Sequence, residues 1–584
     1  MKRKIMTVML SALLAFCALG ATGCNNLFID GGEEIDPTKT QLYVSNYNGD
    51  VGTDWLYEVE ERFEKLYENT SFEEGKTGVQ VLVNPHKFMR ADLERELEGA
   101  SLDDVYFAEH AFYASWADKG LLLDISDIVK EDLSEFGESG TIEDKLSDAK
   151  KNMLTSTHYD ITNRKGDGKY YGLPHYEGFQ GVSYNVKIFD AYELYYNTDG
   201  KIIGATDTAN KTKSAGPDGV LGNGDDGLPA SLEQFARLCG YMESINIKPF
   251  IWTGMYNEYF NILLDSLLTS ILGKEATEVL YSFNENAEEG EEIISRVITG
   301  FNGDTPVVGT AKINETTGYL LWQREEIYYV LDFAKKIYEN VWYASNSVNG
   351  SFDHQMAQEE FVNGNYSSPK VAMLIDGNYW EKAAEEAITR SERDHNYNYE
   401  KDTDFAWMPL PTTVKGTEGD GNMTLKDATQ AYAFIHAKVP ESRKELAKKF
   451  LKFCYTEAEL KNFTLSTGMT RDVEYTLTDS EVSKLGKYAQ SIIAHKKTAD
   501  IVNTASACTV YQANEEILTN TFWRTQVDTT YDRPHIAFHI GKVSAKDFFL
   551  GLGKLHTRNS WDLENRGNYH KQDVQTPENI TPVA

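Results

Sequence analysis

Apolar residues recur along this chain in two alternating rhythms. Trp55, Val59, Phe63 and Tyr67 are spaced four apart, which puts them on one face of a helix. Short apolar runs flank that stretch, Leu42-Tyr43-Val44 before it and Val79 to Val83 after it, and these read as strands. Phe88 to Leu97 predicts a second helix, Asp104-Val105-Tyr106-Phe107 a third strand, and Leu121 to Ile125 a closing one. Strands alternating with helices predict a mostly parallel sheet covered on both faces. The pattern returns late in the chain. Val371 to Ile375 and Tyr432 to Ile435 read as strands. Leu446, Ala447, Phe450, Leu451 and Cys454 stripe one helix, and Ala545, Phe548, Phe549, Leu552 and Leu555 stripe another. The longest turn-rich tract runs from Asn197 to Pro229.

The first residues follow a different pattern. Lys2, Arg3 and Lys4 precede an apolar run from Met9 to Leu19, and Ala21-Thr22-Gly23-Cys24 follows. A basic start and a short apolar stretch read as a secretory signal peptide over residues 1–23. The small residues ending at Cys24 resemble a bacterial lipobox, whose cysteine becomes the lipidated first residue. The expectation is an extracytoplasmic protein held at the outer face of the cell membrane by a lipid on Cys24. Residues 24–40, polar and glycine-containing, would be its tether.

A chain of 584 residues is long for one ordinary core and suits two lobes. The formal net charge of −33 repels nucleic acid and anionic headgroups, and it suits a neutral ligand better than an acidic one. With Cys17 in the leader and Cys24 as the lipid site, Cys239, Cys454 and Cys508 remain. That odd, widely spaced set reads as buried small hydrophobes, not a disulfide framework.

Several segments carry a resemblance when taken in order. They are Asp104 to Phe107 followed by Gly120-Leu121-Leu122-Leu123-Asp124-Ile125, and Tyr170-Tyr171-Gly172-Leu173-Pro174 followed by Gly181-Val182-Ser183-Tyr184-Asn185. Phe361-Val362-Asn363-Gly364, Ala372 to Trp380, Glu445 to Phe450 and Thr467-Gly468 complete the series. From Gln41 to Leu555 the chain resembles the bacterial extracellular solute-binding protein family 1, which includes maltodextrin-binding proteins. The resemblance implies an α/β, two-lobed periplasmic-binding-protein fold of type II. Each lobe would be a mostly parallel sheet flanked by helices, with the ligand cleft between them. The N-lobe would take residues 41–180 plus 412–465, the C-lobe 181–411 plus 466–570, and 571–584 would be a tail. It further implies a monomeric lipoprotein that closes on a carbohydrate, an oligosaccharide first, and delivers it to the transmembrane subunits of an ABC permease. No organic cofactor is expected. Glu131 to Arg164 and Asn197 to Pro229 look like insertions relative to smaller members.

A sugar needs flat rings for its C–H faces and carboxylates, amides or arginine for its hydroxyl rim. The chain has 9 Trp, 34 Tyr and 27 Phe, so only position discriminates among them. The resemblance puts an aromatic platform at Trp252 and Tyr256 and a stacking tryptophan at Trp380, with Asn378 in the glycine turn before it. Glu109 follows a strand at its carboxyl end and could accept hydroxyl hydrogens, or it could be a solvated helix cap. Tyr176, beside His175 and Glu177, lies at the expected lobe crossing. Asn46 and Asn48 follow the first strand and Arg471 follows Gly468; Trp523 and Arg524 are further candidates.

Gly216-Pro217-Asp218-Gly219-Val220-Leu221-Gly222-Asn223-Gly224-Asp225-Asp226-Gly227 packs carboxylates onto a glycine scaffold. Asp218, Asn223, Asp225 and Asp226 are candidate ligands of a structural calcium ion, with a merely solvated acidic turn as the alternative. The embedded G-x-G-x-x-G is no dinucleotide fingerprint, because Asp225 and Asp226 would repel a pyrophosphate. Hydrolase signatures are missing: the chain has no G-x-S-x-G and no H-E-x-x-H. A binder, not an enzyme, is expected. An exported glycoside hydrolase and a passive glycan-adhesion lipoprotein are the alternatives.

Overall fold

The computed structural model describes residues 34–86, 90–99, 103–109, 112–160, 165–205, 210–256, 258–284, 293–314, 316–414, 422–428, 431–503, 533–541 and 543–561. Cys24 and the proposed leader and tail lie outside them. Among the described residues no helix is long and apolar enough to cross a membrane.

The described strands are β1 (Thr40–Tyr47), β2 (Val79–His86), β3 (Val105–Ala108), β4 (Leu173–Pro174), β5 (Gln180–Asn185), β6 (Ile247–Ile251) and β7 (Ile293–Asn302). They continue as β8 (Thr305–Ile313), β9 (Lys370–Gly377), β10 (Phe405–Trp407), β11 (Thr424–Asp427), β12 (Tyr432–Ile435) and β13 (Asp500–Asn503). One sheet has the order β2-β1-β3-β12-β4 and a second β10-β5-β9-β6. The fold is α/β with two sheets, each carrying its own helices. In the first, β1 is parallel to β2 and β3, while β12 is antiparallel to β3 and β4. In the second, β6 is parallel to β9, and β5 is antiparallel to β9 and β10. Both sheets are therefore mixed. The antiparallel members β5 and β12 are the strands on which the chain enters a sheet after leaving the other one. The expected strand Leu121 to Ile125 contributes one bridge, Leu122 to His436.

Each core grows from the predicted stripes. The helix Asp54–Leu66 buries Trp55, Leu56, Val59 and Phe63. Trp55 meets Phe107 at 4.9 Å and Phe463 at 5.2 Å between ring centroids, and Phe63 meets Phe450 at 5.0 Å. Edge-to-face packing of this kind joins β3 to the late helices Glu441–Phe453 and Glu457–Thr467. Beside the second sheet, Phe235 packs on Phe250 and Phe333. A smaller cluster on its other side gathers Phe361, Trp380, Phe405 and Tyr488. The long helix Tyr259–Ser282 is buried over most of its length and breaks at Gly273, where φ is 74°. Order starts earlier than the expected tether allows: Asp36 N donates to Gln80 Oε1 at 2.8 Å, and Gln80 Nε2 donates to Glu34 O at 3.0 Å.

Three segments lie between the sheets: residues 175–179, residues 427–428 at the end of β11, and residues 468–472. Hydrogen bonds tie them together. Glu177 N donates to Thr470 O at 3.0 Å and Ala428 N to Gly178 O at 3.1 Å. Gly178 N donates to Asp427 Oδ1 at 3.1 Å and Asn503 Nδ2 to Asp427 Oδ2 at 2.7 Å. Lys150 pairs with Asp472 and approaches Asp427 at 3.7 Å, while Lys496 pairs with Glu177. Burial opposes the Lys150 charge, yet Asp472 and Asp427 hold its pKa above the usual lysine range. Asp427 is 1% exposed and serves two of the three crossings. Asp427→Ala removes the acceptor of Gly178 N and Asn503 Nδ2 and leaves Lys150 with Asp472 alone, and should cost roughly 2–5 kcal/mol in denaturant unfolding. A loss below about 1 kcal/mol would show that the crossings hold without it.

Candidate binding cleft

The crossings bring the carboxyl ends of β1, β3, β6 and β9 to one place. Ligands of open α/β sheets bind at such ends. From the first sheet come Tyr47, the last residue of β1, Asp50 in the turn after it, and Glu109 just past β3. Gly49 has no Cβ, and one there would strike the Tyr47 ring. Tyr176 arrives on the first crossing and donates from Oη to Asp50 Oδ2 at 3.2 Å. From the second sheet come Tyr256 and Tyr259 after β6, Asp376 at the end of β9, and Tyr379 after it. Gly377 leaves room for the Tyr379 ring.

These groups share one field. Tyr47 feels Glu109, Asp50 and Tyr256. Tyr379 feels Tyr259, Asp50, Asp376 and Glu109. The acids and phenols of the two sheets thus face each other across the cleft. Glu109, Tyr176 and Asp376 are buried, whereas Tyr256 is 47% exposed and stands at the rim. Lys382 Nζ reaches across the rim to Asp54 Oδ2 at 3.1 Å and also holds Glu385 at 2.7 Å.

Burial, and then the neighbouring Asp50, push the Glu109 carboxyl well above the usual carboxylate range. Neither of its oxygens has a donor in hydrogen-bonding geometry; Asp50 and Tyr176 lie beside it. Burial raises Asp50 to about 6 against the hydrogen bond from Tyr176. It raises Asp376 to about 7 against donors Gln358 Nε2 at 3.1 Å and Gly377 N at 2.7 Å. Burial and these acids push the Tyr176 and Tyr379 phenols upward.

The structure gathers Glu109, Tyr176 and Tyr256 here, with exposed Asn48 at the edge, where its Oδ1 accepts from Thr53 Oγ1 at 3.1 Å. It places five other expected residues elsewhere. Trp252 is 1% exposed and packs on Phe260, Tyr338 and Tyr343. Trp380 is fully buried among Phe361, Phe405 and Tyr488. Both are core residues with no free face, each indole being enclosed by the aromatic rings around it. Asn378 is a hinge clasp: its N donates to Phe179 O at 2.9 Å, its Oδ1 accepts Phe179 N at 3.1 Å, and its Nδ2 donates to Glu177 O at 3.2 Å. Arg471 lies behind the cleft. Its guanidinium sits 4.0 Å from the Phe463 ring centroid and 4.6 Å from that of Trp55, and donates to His175 O at 3.1 Å. Burial and that cation hold His175 well below the usual histidine pKa. Asn46 is buried and bonds Gly52 O and Thr53 Oγ1. Trp523 and Arg524 lie outside the described residues. Sequence reasoning missed Tyr47, Asp50, Tyr259, Asp376 and Tyr379. The signal for Tyr379 was its place one residue ahead of Trp380, on the outward side of the same turn.

The acidic glycine loop closes on its own hydrogen bonds. Asp218 Oδ1 accepts Val220 N at 2.7 Å, Asp225 Oδ2 accepts Asp218 N at 3.0 Å, and Asp226 accepts Gly222 N at 2.9 Å. Asn223 Nδ2 donates to Asp218 Oδ2 at 2.6 Å, so the amide faces that carboxylate as a donor. Among the described residues no three His, Cys, Asp or Glu side chains converge as a metal site.

Trp252→Ala and Trp380→Ala should each cost roughly 3–5 kcal/mol of stability, as large cavities do. Ligand affinity of the folded fraction should stay within about threefold, and a tenfold loss of affinity with an unmoved melting temperature would reverse the assignment. Asp50 and Asp376 also set a pH trend in the ligand-free protein. Their folded pKa values of about 6 and about 7 exceed the ordinary 3.8, so the folded state holds more protons. Their contribution is full below 3.8 and is lost as pH rises through about 6 and about 7. Asp376→Asn keeps the neutral shape and should raise the melting temperature at pH ~8 more than at pH ~4. Equal shifts at both would contradict this.

Residues 49–233 match the family model of bacterial extracellular solute-binding proteins. A search of curated protein sequences found no significant match. Among solved structures, a chitin oligosaccharide binding protein superposes with a TM-score of 0.51 at 15% identity, over 89% of this chain and 98% of that one. A structure from a study of xylan utilization by the thermophilic bacterium Caldanaerobius polysaccharolyticus gives 0.51 at 12% identity, over 88% of this chain and 99% of that one. The chain thus has the fold of the solute-binding proteins, and over residues 49–233 it carries the sequence signature of the bacterial extracellular family.

Proposed function

We propose that this protein is a member of that family that captures a carbohydrate in the cleft and delivers it to an ABC permease. The observation that carries the reading is the cleft itself. Five tyrosines and the carboxyls Asp50, Glu109 and Asp376 converge from two sheets, the mixture of rings and hydrogen-bonding rims that a sugar requires. The similar structures named for chitin oligosaccharide and xylan work support the same ligand class. Capture between hinged lobes fits binding better than turnover. With the reading go an extracytoplasmic location, a lipid on Cys24 and action as a monomer.

Isothermal titration against a panel of neutral and amino-bearing oligosaccharides, with chromatography of the mixtures, tests it. One sugar class should bind without conversion. Tyr176→Ala and Tyr379→Ala should each weaken binding at least about tenfold, or ~1.4 kcal/mol. Heat from no sugar in the panel would overturn the carbohydrate reading. Shortened products on chromatography would make the protein a hydrolase.

A further inference from the structure

The cleft holds more carboxyl groups than a neutral sugar needs. Asp50 and Glu109 stand side by side, and Asp376 also acts on Asp50. Glu109 is 4% exposed, and neither carboxyl oxygen has a donor in hydrogen-bonding geometry. The groups acting on it and on Tyr176 and Tyr379 are acids or phenols. The described cations nearby are engaged elsewhere. Lys382 at the rim holds Asp54 and Glu385, and Arg471 is packed behind the cleft on Trp55 and Phe463 and bonded to His175. His86, 6.3 Å from the Tyr47 ring, is held neutral by burial.

On the reading that the cleft binds a sugar, we propose that the ligand carries a free, protonated amino group seated between Asp50 and Glu109: an amino sugar, not its acetylated or hydroxyl counterpart. An ammonium supplies three N–H donors and one positive charge to a pair that, among the described residues, has no cation beside it and, apart from the Tyr176 hydroxyl on Asp50, no side-chain donor. A hydroxyl supplies one donor and no counter-charge, so one carboxyl of the buried pair must keep its proton. An acetamide supplies one N–H, no charge, and a carbonyl that would face carboxylates. Phenol rings around the pair are compatible with a cation, since their faces attract one and their hydroxyls accept from it. The formal charge of −33 raises the local concentration of cationic solutes and disfavours anionic ones.

The test is titration at pH ~7 with three β-1,4-linked trimers: glucosamine, N-acetylglucosamine and glucose. The glucosamine trimer should bind at least about tenfold tighter than both neutral trimers. Glu109→Gln and Asp50→Asn, checked by circular dichroism, should reduce that preference below about threefold. If a variant fails to fold, the wild-type comparison decides alone. Neutral trimers binding as tightly as the amine would overturn this inference and leave the sugar reading standing. If the panel's best sugar has another linkage, the same three are compared in that linkage. A panel in which nothing binds overturns both.

Discussion

The whole arrangement rests on a knot of buried charge where three chain segments meet between two sheets. Glu177, Asp427, Asp472, Lys150 and Lys496 are threaded through the crossings, and the backbone amides of Glu177, Gly178 and Ala428 are bonded from one segment to the next. Buried ions are costly alone and tolerable only as a satisfied set. That condition fixes the crossings against one another. Because β5 and β12 start from the crossings, the knot also fixes which sheet edges face each other. The carboxyl ends of β1 and β3 are set opposite those of β6 and β9, and the cleft is the consequence.

The same constraint explains which aromatics reach the cleft. Trp252 and Trp380 carry large apolar surfaces and settle in the interiors beside the second sheet. Tyrosine has a polar tip, so a tyrosine at a strand end can bury its ring against its own lobe and turn its hydroxyl into a shared wet space. Tyr47 and Tyr379 do so beside Gly49 and Gly377, each of which removes the Cβ that the ring would strike. Arg471, which reads as a ligand-binding arginine, acts one layer back. It stiffens His175 and hence the crossing that presents Tyr176.

Much of the fold was legible because its signal is local. The four-residue spacing of Trp55, Val59 and Phe63 and the apolar run of β9 are properties of single elements. Strand direction was not legible, since β12 and β5 run antiparallel for reasons of long-range path and not of composition. Glu109 and Tyr176 could be named from their places after a strand and at a crossing. Asp50 could not, because nothing in the turn after β1 distinguishes it until β3 and the crossing close over it. The choice of Trp380 over Tyr379 failed on one residue of rotation, a quantity that side-chain size does not encode.

The rim and the interior of the cleft make different contributions to closure. The Lys382–Asp54 pair spans the rim, but Asp54 is 70% exposed, and such pairs contribute about 0–1 kcal/mol. Against it stand Asp50, Glu109 and Asp376, whose mutual repulsion and burial oppose bringing the lobes together while they are ionised. An unliganded molecule therefore gains little from shutting. A ligand that supplies donors and charge to those carboxyls acts only in the shut state, and that differential affinity is the sole means by which binding can shift a conformational equilibrium. On the proposed function, the acids that make the cleft costly to close without a guest would couple closure to occupancy, and a permease that reads the shut form would thereby read the presence of ligand.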